Sequence, residues 1–268
     1  MTQSTIECPK VVSREQWLTA RKELLAKEKQ LTRQNDALAA ERRNLPWVKV
    51  DKEYVFDTPS GKKKLADLFE GRSQLIVYHF MMAPGWPAGC PSCSILGDHI
   101  DGNAPHLANR DVTLMAVSRA PLAQIEAFKK RMGWRFKWAS SFENEFNCDY
   151  HVSFSKEEVA KGEMYYNYKT QKFPSEEAPG ASVFYKNEKG EIFHTYSVYA
   201  RGLEPGMGVY VYLDLTPKGR EEAGLPHPMA WVQHHDRYEQ DYYAEGAGKE
   251  QHAKCAGASC CAGEHKAS

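Results

Sequence analysis

The stretch Gln74–Ile100, QLIVYHFMMAPGWPAGCPSCSILGDHI, constrains the fold more than any other part of this sequence. Leu75 to Met82 is a nearly unbroken apolar run of strand length, rich in branched and aromatic side chains. Such a run predicts a central strand covered on both faces. Ala83 to Gly89 carries two prolines and two glycines, which predicts a loop. Cys90-Pro91-Ser92-Cys93 then opens a predicted helix. Strand, loop and a pair of cysteines on a first helical turn is the order that dithiol chemistry requires.

The requirement is physical. With Cys90 at the N-cap, Pro91 falls at the first helical position, where its fixed φ fits and its missing N–H is not needed. The free amides and the positive dipole end of that turn favour a Cys90 thiolate. The thiolate is the nucleophile; the neutral thiol is nearly inert. Cys93 follows one turn later on the same face, so its sulfur can close a disulfide with Cys90. Cys90 is therefore the expected attacking sulfur and Cys93 the resolving one. Half of a zinc site and an idle pair are the competing readings, although zinc wants four ligands and the chain has no second CxxC.

Composition limits the setting. The chain has 35 Lys and Arg against 35 Asp and Glu, which gives no global electrostatic case for nucleic acid or an anionic membrane. No apolar stretch is long enough to span a bilayer. The N-terminus MTQSTIECPKVVSREQW lacks a signal-peptide pattern. Seven cysteines, an odd number scattered over 268 residues, argue against a secreted disulfide framework. The expectation is a cytoplasmic protein that binds neither membrane nor nucleic acid.

From the N-terminus, Ser13 and Gln16 predict a capping box, with a helix running to about Asn44 before Leu45-Pro46. Trp17, Leu24, Leu31, Leu38 and Leu45 recur every seven residues, with Leu18, Leu25 and Ala39 alongside. The stripe can bind a second subunit, as in a homodimer. Arg21, Glu28, Asn35 and Arg42 weaken a coiled-coil pattern, so one face laid against the parent domain is the preferred expectation. Val48 to Phe56 alternates like a half-buried hairpin or edge strand, Thr58–Gly61 turns, and Leu65–Phe69 makes a short helix ended by Gly71. The helix after Cys90 is expected to weaken at Gly97 and Gly102. Val112–Val117 is a second buried strand, and Ala120–Met132 a helix stopped by Gly133. Trp134 to Pro179 is aromatic and irregular, apart from a short helix at Ser155–Lys161. Ser182–Tyr185, the turn Asn187–Gly190 and Ile192–Val198 give a hairpin; Val209–Leu215 fits strand or helix equally. From Gly246 onward small residues, Lys, His and three cysteines suggest a tail.

Strand–helix alternation around the CxxC, closed by a hairpin, resembles the thioredoxin-like superfamily. The segments GWPAGCPSCS (85–94), NCDYHVSF (147–154), PGASVF (179–184), HTYSVYARG (194–202) and WVQHHDRY (231–238) narrow this further. They resemble a bacterial family of unknown function whose members are described as predicted dithiol–disulfide oxidoreductases. The resemblance covers about residues 10 to 240. It implies an α/β fold with a central mixed sheet flanked by helices, a long N-terminal helix and a C-terminal extension. The corresponding division is 1–46 for the helical extension, 47–226 for the thioredoxin-like domain and 227–268 for a strap and Cys/His-containing tail. Implied chemistry is exchange between Cys90, Cys93 and a protein or small-molecule disulfide, with an unidentified electron donor and no organic cofactor. The approach DTPSGKKKLADLF looks like that of peroxiredoxins, but Ala83 and Pro87 stand at the offsets where those enzymes carry Pro and Thr or Ser. Peroxidase geometry is thereby disfavoured. Thioredoxins place a cis-proline before a later strand; Pro179 lies one residue early for that role.

Other residues admit two readings each. Trp86 either flanks a substrate or covers the sheet end. His99 either approaches the dithiol or is satisfied elsewhere, and His79 is expected to be a hydrogen-bonded core residue. His194, Tyr196 and Arg201 shape a pocket or simply pack, with Arg201 the better anion partner. Cys148 is a further resolving thiol or a buried free cysteine. His234-His235-Asp236 offers a base or metal ligand, though neighbouring side chains diverge. His252, Cys255, Cys260, Cys261 and His265 can hold a soft metal or form a flexible tail. The alternative function is a copper- or zinc-binding, or regulatory interaction, module on the same fold.

Overall fold

The computed structural model describes residues 10–239. In chain order its elements are α1 (Arg14–Arg43), β1 (Val48–Lys49), β2 (Val55–Thr58), β3 (Gly61–Lys64), a 3-10 turn (Leu65–Phe69) and β4 (Gln74–His79). Then follow α2 (Pro91–Ala108), β5 (Val112–Ser118), α3 (Leu122–Arg131), β6 (Lys137–Ser140), α4 (Phe146–Asp149) and α5 (Lys156–Lys161). Hairpins β7 (Glu163–Tyr166)/β8 (Lys169–Lys172) and β9 (Gly180–Lys186)/β10 (Ile192–Tyr199) precede α6 (Gly208–Asp214).

One sheet has the order β1-β10-β9-β4-β5-β6-β2-β3. The apolar run supplies β4 at its centre, parallel to β5 (Tyr78 opposite Ala116) and antiparallel to β9 (Tyr78 opposite Ala181). Strand, α2, parallel strand, α3 and a returning hairpin make the thioredoxin-like arrangement that the sequence implies. Successive side chains of a strand point to opposite faces. Tyr78, Phe80 and Ala116 accordingly pack with Cys93, Ile95, Phe128, Trp134 and Trp138 on one face. Leu75, Val77, Met115 and Val117 pack with Phe56, Phe69, Phe146 and Phe184 on the other. Each Leu, Ile, Val, Met or Phe side chain among them contributes about 1.5–3 kcal/mol by leaving water.

Several expectations change. The alternating stretch at 48–56 is not one hairpin: β1 sits at one edge of the sheet against β10, and β2 near the other edge against β3 and β6. The glycines do not interrupt α2, which runs through Gly97, Gly102 and Pro105. Gly97 is buried there, and a Cβ would lie 2.9 Å from the Trp134 ring, so the glycine serves close packing rather than a break. The irregular 134–179 region contains β6 and the β7/β8 hairpin. Residues 208–214 are helical. The Ser13–Gln16 capping box forms as expected, but α1 contains no buried residue. The expectation that one face of α1 lies against the domain is therefore not met. The tail residues His252, Cys255, Cys260, Cys261 and His265 lie outside the described residues, as does Cys8.

Candidate active site

The dithiol stands where the apolar strand hands the chain to α2. Cys90 is the N-cap of α2 (φ −59°, ψ 131°) and Pro91 its first residue. The Cys90 amide donates to the Met81 carbonyl at 3.0 Å, which ties the cap back to the end of β4. Its own carbonyl accepts from the Ser94 amide at 3.0 Å and the Ser94 hydroxyl at 2.9 Å. Gly89 is required just before it: a Cβ there would fall 2.5 Å from the Phe80 ring and 2.7 Å from that of Phe128. The loop backbone is pinned by Gln124, whose side chain accepts from the Gly85 amide and donates to the Trp86 carbonyl. His234 closes the far side, donating from Nε2 to the Gly89 carbonyl at 2.8 Å.

Two free thiols one turn apart have opposite environments. Cys90 is partly accessible, while Cys93 is 2% exposed in the core. A hydrogen bond from the Cys93 thiol lowers the Cys90 thiol to about 7 against the opposing effect of burial, with the amides of Cys93 and Ser92 assisting. Burial, reinforced by the Cys90 sulfur, pushes the Cys93 thiol upward. The opposing influences on Cys93 are the Tyr78 hydroxyl and the Met81 amide. Tyr78 is 1% exposed and its hydroxyl has no hydrogen-bond partner among the described residues. Burial and the neighbouring Cys93 sulfur hold that phenol well above its usual ionisation range. The hydroxyl is thus an unspent donor in the neighbourhood of the Cys93 sulfur.

Beside the loop, Arg119 braces the chain before β9. Its guanidinium donates to Glu177 at 2.6 Å and Glu176 at 2.7 Å. Glu176 accepts from the Trp86 indole at 3.1 Å, and Glu177 from Ser153 at 2.6 Å. Glu177 is 1% exposed, and burial raises its carboxyl to about 7 although Arg119 opposes the shift. Pro179 follows, with its carbonyl accepting from Tyr166 at 2.7 Å; the described residues contain no cis peptide bond.

The remaining candidates scatter. His99 donates Nδ1 to the Ile95 carbonyl at 2.7 Å and turns its other nitrogen toward Gly208, so it does not serve the dithiol. His79 lies on the opposite face of the sheet, its Nε2 2.8 Å from Ser182. His194 bonds Ser197 at 2.7 Å. With Tyr196 and Arg201 it lines a cavity of about 830 Å³ that contains neither cysteine, and Arg201 is paired with Glu204. Cys148 is a free, surface cysteine whose thiol burial nevertheless pushes up. His234 and His235 diverge, the latter donating to Asp98 at 2.7 Å, while Asp236 pairs with Arg131. Among the described residues no three His, Cys, Asp or Glu side chains gather as metal ligands.

Tyr78 and the Arg119–Glu177 brace were not singled out from sequence. Tyr78 was legible in principle, since period two places it on the face of Phe80. The brace joins residues far apart in the chain and leaves no local pattern.

The chain belongs to the family described as "Bacterial protein of unknown function (DUF899)", whose model matches residues 6–238. No curated protein matches it. Among solved structures it is similar to a serine-for-cysteine mutant of Xanthomonas campestris peroxiredoxin Q, at 13% identity and TM-score 0.40, covering 60% of this chain and 89% of that one. It is also similar to peroxidoxin BcpB from Mycobacterium tuberculosis, at 10% identity and TM-score 0.41, covering 61% and 94%.

Proposed function

We propose that this member of the family is a thiol–disulfide oxidoreductase whose reacting groups are Cys90 and Cys93. The observation that carries the reading is the placement of two free thiols: a partly accessible one at a helix N-cap and a buried one a turn below. The Cys90 thiolate attacks one sulfur of a substrate disulfide and expels the other as a thiolate, leaving a mixed disulfide. Cys93, deprotonated, then attacks the Cys90 sulfur and releases the second substrate thiolate. Two electrons leave the protein, which now holds a Cys90–Cys93 disulfide. An external dithiol donor restores it, or the cycle runs in reverse when the partner is a dithiol. Tyr78 lowers the cost of the Cys93 thiolate in a site that water does not reach, because a hydrogen bond to an ion is worth more where the dielectric is low. Protein or small-molecule disulfides in the cytosol are the proposed substrates. No described helix is long and apolar enough to cross a membrane.

The test is reduction of a peptide disulfide with dithiothreitol as donor. Cys90→Ser is expected to fall to the rate of dithiothreitol alone, since removing a nucleophile costs up to about 10⁶-fold. Cys93→Ser retains attack, and in a single turnover without dithiothreitol it stalls with one equivalent of substrate bound to Cys90, visible by mass spectrometry. Unchanged turnover in both variants refutes the assignment.

A further inference from the structure

Helix α1 displays an apolar stripe that no described residue covers. Trp17, Leu18, Leu24, Leu25 and Leu31 are exposed, Trp17 by 55% and Leu31 by 58%. The helix packs at length against no other described element, and its tie to the domain is near its C-terminal end, where Arg42 stacks on Tyr196 at 5.8 Å. Two rows of leucines flank Arg21 and Glu28, which pair with each other at 2.9 Å across two turns. Most helical stability in proteins comes from packing an amphipathic face, which here lacks a described partner.

We infer that this face joins two copies of the chain, α1 against α1, antiparallel and centred between Leu24 and Leu25. A two-fold axis at that point sets Leu24 against Leu25 of the second copy and Leu18 against its Leu31. It also sets Arg21 against Glu28 and Glu28 against Arg21, so both charges within the stripe meet their opposites. Parallel pairing in register instead brings Arg21 to Arg21 and Glu28 to Glu28. An antiparallel pairing centred on Asn35 also matches opposite charges, Glu28 with Arg42. It drives the N-terminal half of each helix into the other copy's domain. With the centre at 24 and 25, overlap ends at Asn35, and residues 36–43 give about 12 Å of helix to hold each domain clear. A stable interface needs roughly 1,200 Å² of buried surface. Four exposed leucines and a tryptophan from each copy supply its apolar centre, with the ion pairs among them.

Sedimentation of the full chain over a concentration series tests this. A dimer is expected at tens of micromolar, and Leu24→Lys with Leu25→Lys is expected to convert it to monomer. Because those changes can also fray the helix, charge reversal supplies a second measurement. Arg21→Glu and Glu28→Arg each weaken self-association about tenfold by setting like charges together. An equal mixture of the two variants returns to wild-type affinity. Within each variant chain the Arg21–Glu28 pair stays broken, so recovery on mixing comes from contacts between chains. Parallel pairing predicts the reverse: each variant alone unchanged, the mixture tighter than wild type. A monomer at every concentration overturns the proposal, including one whose stripe is covered by its own residues 240–268. A dimer indifferent to the leucine or charge substitutions overturns it as well.

Discussion

Tyr78 and His79 are neighbours on β4, yet they lead to opposite faces of the sheet and to different chemistry. Both are almost completely buried polar residues. His79 enters a chain of side-chain hydrogen bonds: Ser182 at 2.8 Å, Ser182 to Ser197 at 2.8 Å, Ser197 to His194 at 2.7 Å. That chain crosses β4, β9 and β10 and ends without reaching a nucleophile or redox centre. Its other ring nitrogen, Nδ1, sits without a hydrogen-bond partner among the described residues, in a ring environment set by Phe146 and Tyr150. Tyr78 leaves its single hydroxyl without a hydrogen-bond partner among the described residues, in the neighbourhood of the Cys93 sulfur. One polar group is consumed by the fold; the other is held in reserve for a charge that forms only during exchange. Burial alone does not mark a functional residue; what its polar atom faces does.

The largest expected effect lies on the histidine face. In the unfolded chain His79 takes up a proton near pH 6.5, whereas burial in the fold lowers this to about 3. Its contribution is complete above 6.5 and is lost as pH falls toward 3, by up to ~4 kcal/mol. Glu177 runs the other way. Its folded value of about 7 lies above the unfolded one, so its contribution is present below about 4.5 and lost as pH rises through 7. Denaturant melts of wild type and His79→Gln at several pH values separate the two. The wild type should lose ground to the variant steadily between pH 6.5 and 3. Parallel pH curves would remove His79 from the account.

A smaller effect is expected from Ser197→Ala, which removes one partner each from the Ser182 hydroxyl and His194 while Ser182 keeps His79 and His194 keeps the Tyr196 carbonyl. It should cost about 0.5–1.5 kcal/mol in stability, with turnover at the dithiol unchanged. Coupled loss of turnover would mean that the two faces are not independent. Smallest in stability is Tyr78→Phe, expected within about 0.5 kcal/mol because no other described bond is broken. Its effect is kinetic: release of the mixed disulfide should slow about tenfold, the scale of one hydrogen bond to a charged sulfur. Equal rates of release would make Tyr78 a packing residue like His79.

The dithiol strand, its loop, α2, β5 and α3 were legible because each is specified by neighbours in sequence: an apolar run, Pro and Gly punctuation, a cysteine pair, helical spacing. What was illegible depends on distant partners. Gly97 reads as a helix break in the sequence, whereas in the fold it is the seat of the distant Trp134 ring. The β7/β8 hairpin, with Lys169–Lys172 nearly all exposed, lacks a strong alternating apolar signal. Arg119 meets Glu177 only after the chain returns to form β9. For α1, periodicity located the helix and its apolar face but could not say what the face meets.

The pH dependence of Cys90 alkylation in the full chain, followed on the Cys90 peptide by mass spectrometry, tests the central claim most directly. The account predicts half-maximal reactivity near pH 7, because the Cys93 thiol and the first-turn amides stabilise the Cys90 thiolate. It also predicts a rise toward the ordinary value of about 8.5 in Cys93→Ala. A wild-type Cys90 that already ionises near 8.5, unmoved by loss of Cys93, would contradict it.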